Sequence, residues 1–326
     1  MGTRADVDVD VDVDVIVVGG SAAGLAAALQ LGRVRRSVVV IDAGEPRNAP
    51  AEHLHGYLGH DGAAPAELLA AGRADVARYG VELIGDRVLD LTGDATTGFT
   101  VATASGLTRT ARRILLATGL TDVLPAIDGL AQRWGRQVIH CPYCHGWEVQ
   151  DQRIVVLDTT GLGTHQALLF RQLSDRVRLV VHSGPGPDAT QRAQLEVFDI
   201  EVIDGPVLAV GDGEPGPEPT LTLTLAGGTA LDADAVVIAP RLQPNVAMAA
   251  SLGLAVADDP SGIGSAVVTD ALGATSVAGV YAAGNVNQPM HQLLHAAAHG
   301  SQVAAAISFD LLHADLATRL HAAAAT

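Results

Sequence analysis

Short runs of Val, Ile and Leu alternate along the chain with longer stretches rich in Ala and Leu. The alternation begins in "DVIVVGGSAAGLAAALQLGRVRRSVVVID". Asp14–Val18 is an apolar run of strand length, and Val38–Ile41 is a second one that ends at Asp42. The stretch between them, Ala22–Leu31, has the length of a helix and side chains small enough to pack closely on a sheet. The same order returns in "RIVVLDTTGLGTHQALLFRQLSDRVRLVVH", which predicts a strand at Ile154–Leu157, a helix at Thr164–Leu173 and a strand at Val177–Val181. Elsewhere the pattern predicts a helix near Pro65–Tyr79 and strands around Phe99–Ala104, Arg113–Ala117, Ala235–Ala239 and Gly279–Ala282. An Ala-rich helix follows from about Leu293 to Leu312, and Gly211–Pro219 reads as a solvated turn.

Strands alternating with helices in this order predict an α/β chain with two Rossmann-like domains. The first unit carries a dinucleotide-binding fingerprint. Gly19 makes the tight turn, and Gly24 lets the helix approach the strand. Ser21 replaces the middle glycine and is small enough to let a pyrophosphate reach the helix N-terminus. Asp42, about 20 residues on, can accept hydrogen bonds from ribose hydroxyls. A glycine pattern alone is weak; strand, turn, helix, strand and terminal acid in sequence are specific. The run "LLATGL" is a strand entering Thr118-Gly119, a plausible end of the first segment and a crossover.

Composition adjusts this picture little. Hydrophobic residues make up 48% and aromatic ones 3%, so the core is expected to be built from Ala, Val and Leu. A formal charge of −16 repels phosphate backbones and anionic lipid, which argues against nucleic acid and membrane partners. No run approaches the roughly 20 apolar residues of a membrane span. The N-terminal Asp-Val repeats carry charge where a signal peptide needs apolar residues, so they read as a frayed leader and the expected compartment is the cytoplasm. In a reducing compartment a close cysteine pair is more often catalytic or metal-binding than a structural staple.

The chain has two cysteines, Cys141 and Cys144, in "IHCPYCHGWEV", flanked by His140 and His145. Four ligands so close in sequence cannot easily surround one zinc ion, and no second CxxC or HxxxH lies nearby. As a redox pair the motif has a mechanism. A helix expected to start at the second cysteine, together with the histidines, would lower a thiol pKa, and imidazole suits proton transfer near neutral pH.

Four motifs together, "VVGGSAAGL", "LLATG", the CxxC followed one residue later by Gly, and "TSVAGVYAAGNV", resemble the low-molecular-weight thioredoxin reductase family of flavoproteins. The resemblance spans nearly the whole chain. It implies an FAD domain in two segments, 1–118 and 244–326, an inserted NAD(P)H-type domain at 119–243 carrying the CxxC, and a homodimer. It places FAD against Gly19, Ser21, Ala22, Ala23, Gly24, Asp42, Ala43, Thr118, Gly119, Gly284, Asn285, Gln292 and Leu293. It also implies that Cys144 faces the flavin while Cys141 exchanges with substrate sulfur.

Two departures narrow the reading. His145 stands where thioredoxin reductases carry Asp, and "HCPYCHG" resembles the dithiol oxidases that close disulfides in natural products such as gliotoxin, holomycin and romidepsin. In the inserted unit, Asp158 and Thr160 replace the glycines of the second turn. His182-Ser183 stand about where paired arginines would hold the 2′-phosphate of NADPH. The expectation is therefore FAD-dependent oxidation of a small dithiol, with Cys141, Cys144, His140 and His145 catalytic, oxygen as acceptor and hydrogen peroxide as product. The alternatives are an NADPH-dependent reductase of a thioredoxin-like protein and a binding module without turnover. His291, His295 and His299 recur at one-face helical spacing and read as polar residues near the cofactor, a pocket lining or a metal stripe. His53, His55 and His60 fall in a loop the family uses around the flavin.

Overall fold

The computed structural model describes residues 11–214, 220–260 and 262–325. The Asp-Val leader up to residue 10 and residues 215–219 of the Gly211–Pro219 turn lie outside them. In chain order the first elements are β1 (Val13–Val18), α1 (Ala22–Arg33), β2 (Val38–Asp42), α2 (Pro65–Ala77), β3 (Glu82–Gly85), β4 (Val88–Asp94), β5 (Gly98–Thr103) and β6 (Thr108–Leu116). Strands β7 (Leu120–Val123) and β8 (Val138–Ile139), the one-turn helix α3 (Pro142–His145), β9 (Ile154–Asp158), α4 (Gly163–Phe170) and β10 (Val177–Val181) come next. Then follow α5 (Ala189–Val197), β11 (Glu201–Asp204), β12 (Val207–Asp212), β13 (Leu221–Leu225), β14 (Ala230–Ala233), β15 (Ala235–Ile238) and β16 (Arg241–Pro244). The chain closes with β17 (Val256–Asp258), β18 (Ser265–Val267), β19 (Val280–Ala282) and α6 (Leu293–Ala324).

Two sheets carry the architecture. The first runs β3-β2-β1-β6-β5-β4, and β19 adds to β6 in parallel with Val280 opposite Ile114. The second runs β11-β10-β9-β15-β8 and is parallel throughout. β12, β13 and β14 form a separate antiparallel sheet. Parallel strands are covered on both faces, which is why they read as unbroken apolar runs. Val15 and Val17 pack with α1 and with Val303, Ile307 and Leu311 of α6, while Ile16 and Val18 face Phe99, Ile114 and Leu116. Each fully buried Leu or Ile contributes roughly 1.5–3 kcal/mol. The second sheet has its own clusters, all from residues between Ile127 and Ile238. The antiparallel pair β7–β16, Leu120 opposite Pro244, carries both crossings between the sheets.

The apolar stretches became the elements expected of them, with bounds shifted for local reasons. β6 starts five residues earlier than Arg113 because its polar first half pairs antiparallel with β5, Phe99 opposite Ala111. α4 stops at Phe170, where Leu173 and Ser174 turn back onto the Phe170 carbonyl. α6 runs past Leu312 to Ala324, since nothing in "HADLATRLHAAA" breaks a helix. β3, β4, α5 and β11 carried no clear apolar signal because they lie mostly at the surface. α5 buries only Leu195 and is held by a capping box between Asp188 and Gln191.

Helix α6 lies across α1, and the contact needs a residue without a side chain. A Cβ at Gly300 would sit 2.0 Å from the Ala23 carbonyl oxygen. Arg112, with Arg36, ties Asp315 of α6 to Asp14 of β1, at 2.6 and 3.0 Å for Arg112. Gly300→Ala should cost roughly 1–3 kcal/mol by overpacking and lower the melting temperature, whereas Ala305→Gly, on an exposed face, should lose about 1 kcal/mol by propensity alone. A thermal melt that ranks them in reverse would contradict this packing.

Candidate active site

The turn after β1 is shaped for close approach. Gly19 has φ +104°, and a Cβ there would lie 2.4 Å from the Ala117 carbonyl oxygen. A Cβ at Gly24 would lie 1.9 Å from the Gly19 carbonyl oxygen, so α1 abuts the turn. The first helical hydrogen bond runs from the Leu25 N–H to the Ser21 carbonyl. The N–H groups of Ala22, Ala23 and Gly24 precede it and point out of the helix end, which favours an anion. An open cleft of about 460 Å³ begins at Gly20 and includes Asp42 and Ala43. Two residues here escaped the sequence reading. Gly20 leaves room for Asp42, since a Cβ on it would lie 2.8 Å from that of Asp42, and Arg73 donates to Asp42 Oδ2 at 3.0 Å. Gly20 stood inside the quoted fingerprint; no local signal marks Arg73, which arrives from α2.

Of the residues expected later in the chain to hold the cofactor, Gly284 and Thr118 lie at this turn. Gly284, φ +80°, sits where a Cβ would be 2.9 Å from that of Ala23. Its N–H donates to His299 Nδ1 at 3.2 Å. Thr118 Oγ1 is buried with no hydrogen-bond partner among the described residues. Gln292 is the N-cap of α6 and Leu293 its first residue. Asn285 was expected to face the cofactor. Its side-chain N–H groups donate to the carbonyls of Gln288, Pro289 and His291 at 3.2, 3.0 and 2.8 Å. An aspartate has no N–H and could not close this loop, which explains Asn at this position. His291, His295 and His299 do share a face, with ring centroids 5.8 and 5.3 Å from His291. Among the described residues no group of three or more His, Cys, Asp or Glu is placed to hold a metal ion.

The cysteine pair lies in the inserted unit, and one expectation needs correction there. Cys141, not Cys144, is the N-cap of α3. Its thiol is lowered to about 7, first by a hydrogen bond from Cys144, then by the N–H groups of Cys144 and Tyr143 and by the charge of Arg47. Burial opposes these effects. The Cys144 thiol is pushed up by the same hydrogen bond, by burial and by the Cys141 charge. The histidines do not supply the positive charge expected of them. Burial, and then Arg47, push His140 down to about 4; burial also lowers His145. Both are therefore neutral near pH 7. His140 stacks on Trp134 at 5.7 Å, and both ring nitrogens of His145 are buried without a partner among the described residues. An imidazole so placed can bind or accept a proton from a molecule that enters the site. In the 43–64 loop, His53 Nδ1 lies 3.1 Å from the Gly62 carbonyl and His60 packs on Tyr57. His55 lies 3.3 Å from Glu148, just past the CxxC.

The second dinucleotide turn is occupied from within. Asp158, 3% exposed, accepts at Oδ1 from the N–H of Gly161 at 2.7 Å and of Gly163 at 3.2 Å. Its carbonyl accepts from the N–H groups of His182, Ser183 and Gly184. A Cβ on Gly184 would lie 2.6 Å from the Asp158 carboxylate, so the side chain fills the gap between strand end and helix start. His182 is turned inward, accepting from the Val207 N–H at 2.9 Å.

Comparisons with known proteins agree with this architecture. The family described as "Pyridine nucleotide-disulphide oxidoreductase" matches residues 13–300. The protein named "Thioredoxin reductase sirT" from Leptosphaeria maculans is 30% identical over 319 residues, 93% of this chain and 95% of its own. The crystal structure of HlmI superposes with a TM-score of 0.86 at 39% identity, covering 96% of each chain. The oxidoreductase from Agrobacterium tumefaciens gives 0.85 at 36% identity, over 92% of this chain and 99% of its own.

The titration of the pair is directly measurable. Alkylation of the reduced protein by iodoacetamide should rise with pH through a midpoint near 7 and fall first on Cys141. A midpoint above 8.5, or first modification at Cys144, would contradict the polarity described.

Proposed function

We propose, from the premise that this chain belongs to the pyridine nucleotide-disulphide oxidoreductase family, that it closes a small dithiol into a disulfide and passes the electrons to molecular oxygen. The cofactor is FAD. The residues at the first turn fit it. The free N–H groups of Ala22, Ala23 and Gly24 suit the pyrophosphate, Asp42 suits a ribose, and the unpartnered Thr118 Oγ1 offers a further polar contact. In the proposed division, 1–118 and 244–326 form the FAD domain and 119–243 the inserted domain.

The observation that carries oxidase over NADPH reductase is Asp158. A nicotinamide dinucleotide would set its pyrophosphate on the N–H groups at the start of α4, where a buried carboxylate already accepts from Gly161 and Gly163. An incoming phosphate would have to displace a covalently tethered anion and meet its charge at close range. This opposes a nicotinamide route and supports oxygen, the simplest alternative acceptor.

Bound FAD supplies the two-electron relay between the cysteine pair and that acceptor. In the proposed cycle the pair begins as a disulfide. A substrate thiolate attacks Cys141, and Cys144 leaves as thiolate. The second substrate thiol then displaces Cys141, whose low pKa makes it a good leaving group. Neutral His140 and His145 stand beside the pair to accept the substrate protons. Over one cycle the dithiol loses two hydrogens and oxygen gains them as hydrogen peroxide. Exposed Tyr143 and Trp147 leave apolar surface at the pair, suited to a substrate with an apolar body. Exposed Phe309, Leu312, Leu316 and Leu320 recur along α6 and support the homodimer.

The purified yellow protein should consume oxygen when mixed with dithiothreitol in air and keep its flavin colour under anaerobic NADPH. Rapid bleaching by NADPH would overturn the oxidase and restore a reductase. Cys144→Ser should lose dithiol-driven bleaching while retaining FAD; sustained turnover would refute its role.

A further inference from the structure

Only the β7–β16 pair joins the two units through the chain, yet the loop between β2 and α2 touches the inserted unit at three further points. Arg47 donates from Nε and Nη2 to the two carboxylate oxygens of Asp122, in β7, at 2.7 and 2.6 Å. The Asp122 side chain is 6% exposed. Pro50 packs on Gly135, where a Cβ would lie 2.7 Å from that of Pro50. His55 reaches Glu148 at 3.3 Å. These contacts bracket the cysteine motif. Gly135 follows Trp134, the ring stacked on His140, and Glu148 lies four residues beyond Cys144.

We propose that Arg47 is a positioning residue of the redox site, clamped by Asp122 so that it ties the hinge strand to the cofactor half and holds a permanent positive charge toward Cys141. The inference rests on Cys141 being the exchanging thiol of the proposed function. The surroundings leave this task to Arg47. His140 and His145 are neutral, and His55 is engaged by Asp61 and Glu148. Asp122 opposes the guanidinium at His140, while at Cys141 the charge that acts is that of Arg47. A planar guanidinium can grip both carboxylate oxygens and still present charge sideways, whereas Lys keeps the charge without the two-point grip. A two-strand hinge is a soft joint, and a half-buried bidentate pair stiffens it.

The test is the pH profile of iodoacetamide alkylation at Cys141, located by mass spectrometry, on dithiothreitol-reduced holoenzyme under anaerobic conditions. Arg47→Gln should raise the midpoint by roughly 0.5–1 pH unit and slow alkylation at pH 7 about threefold. Arg47→Lys should restore the midpoint, while anaerobic flavin reduction by dithiothreitol remains slower than in the wild type because the grip is lost. Asp122→Asn, which keeps the charge and loosens the clamp, should leave the midpoint unchanged or lower it and also slow flavin reduction. The proposal is overturned if Arg47→Gln keeps the wild-type midpoint, or if Gln and Lys shift it equally. A raised midpoint in Asp122→Asn overturns it as well, and that variant decides the matter if Arg47→Gln loses FAD or fails to fold. Failure of the oxidase reading would appear instead as absent oxygen uptake with these alkylation profiles intact.

Discussion

Helix α1 can meet the turn at Gly19 only because residue 24 carries no side chain, and most of the cofactor half depends on that approach. It sets the helix N-terminus directly over the end of β1, so three backbone N–H groups converge on the turn. Gly300 lets α6 lie on the same helix, and Gly284 brings the β19 turn against Ala23. Three glycines far apart in the chain thus serve one cradle. Their shared property is the absence of a Cβ where backbones touch.

The inserted unit repeats the frame and reverses its chemistry. β9, α4 and β10 have the order of β1, α1 and β2, but the position that opens the first cradle is filled by Asp158 in the second. Helix-end N–H groups need an acceptor, and an internal carboxylate satisfies them permanently. One side chain therefore separates a cradle whose helix-end N–H groups are open from one whose N–H groups already have an acceptor. The pair is polarised by its own neighbours. Cys144 donates to Cys141, and the nearby histidines, buried and neutral, leave the supporting charge to Arg47. The polarity of the pair thus arises without an imidazolium.

Much of this was legible along the chain. Buried parallel strands announce themselves as unbroken Val and Ile runs, and the Gly19–Gly24 turn has fixed spacing because only one backbone path makes it. Asp158 and Thr160 also stood out as wrong residue types for a phosphate turn. Elements at the surface, β3, β4, α5 and β11, left no such trace, because exposed positions tolerate any polar residue. The helix start at the cysteines lies two residues before the one expected, since Pro142 is the natural first helical residue and makes Cys141 the cap.

By itself, then, the sequence determined the two βαβ frames, the pairing of Cys141 with Cys144 in one motif, and the loss of a regular second phosphate turn. These depend on spacings within about thirty residues, where local sterics and periodicity suffice. Tertiary structure alone decided that Asp158 turns into its cradle rather than outward, that Asn285 serves a loop, and that Arg73 and Arg47 come to Asp42 and Asp122. Each of those outcomes turns on where an unpaired charge or N–H finds its partner. Burial sets that choice, because it makes an unmet partner costly, and burial exists only once distant segments have packed.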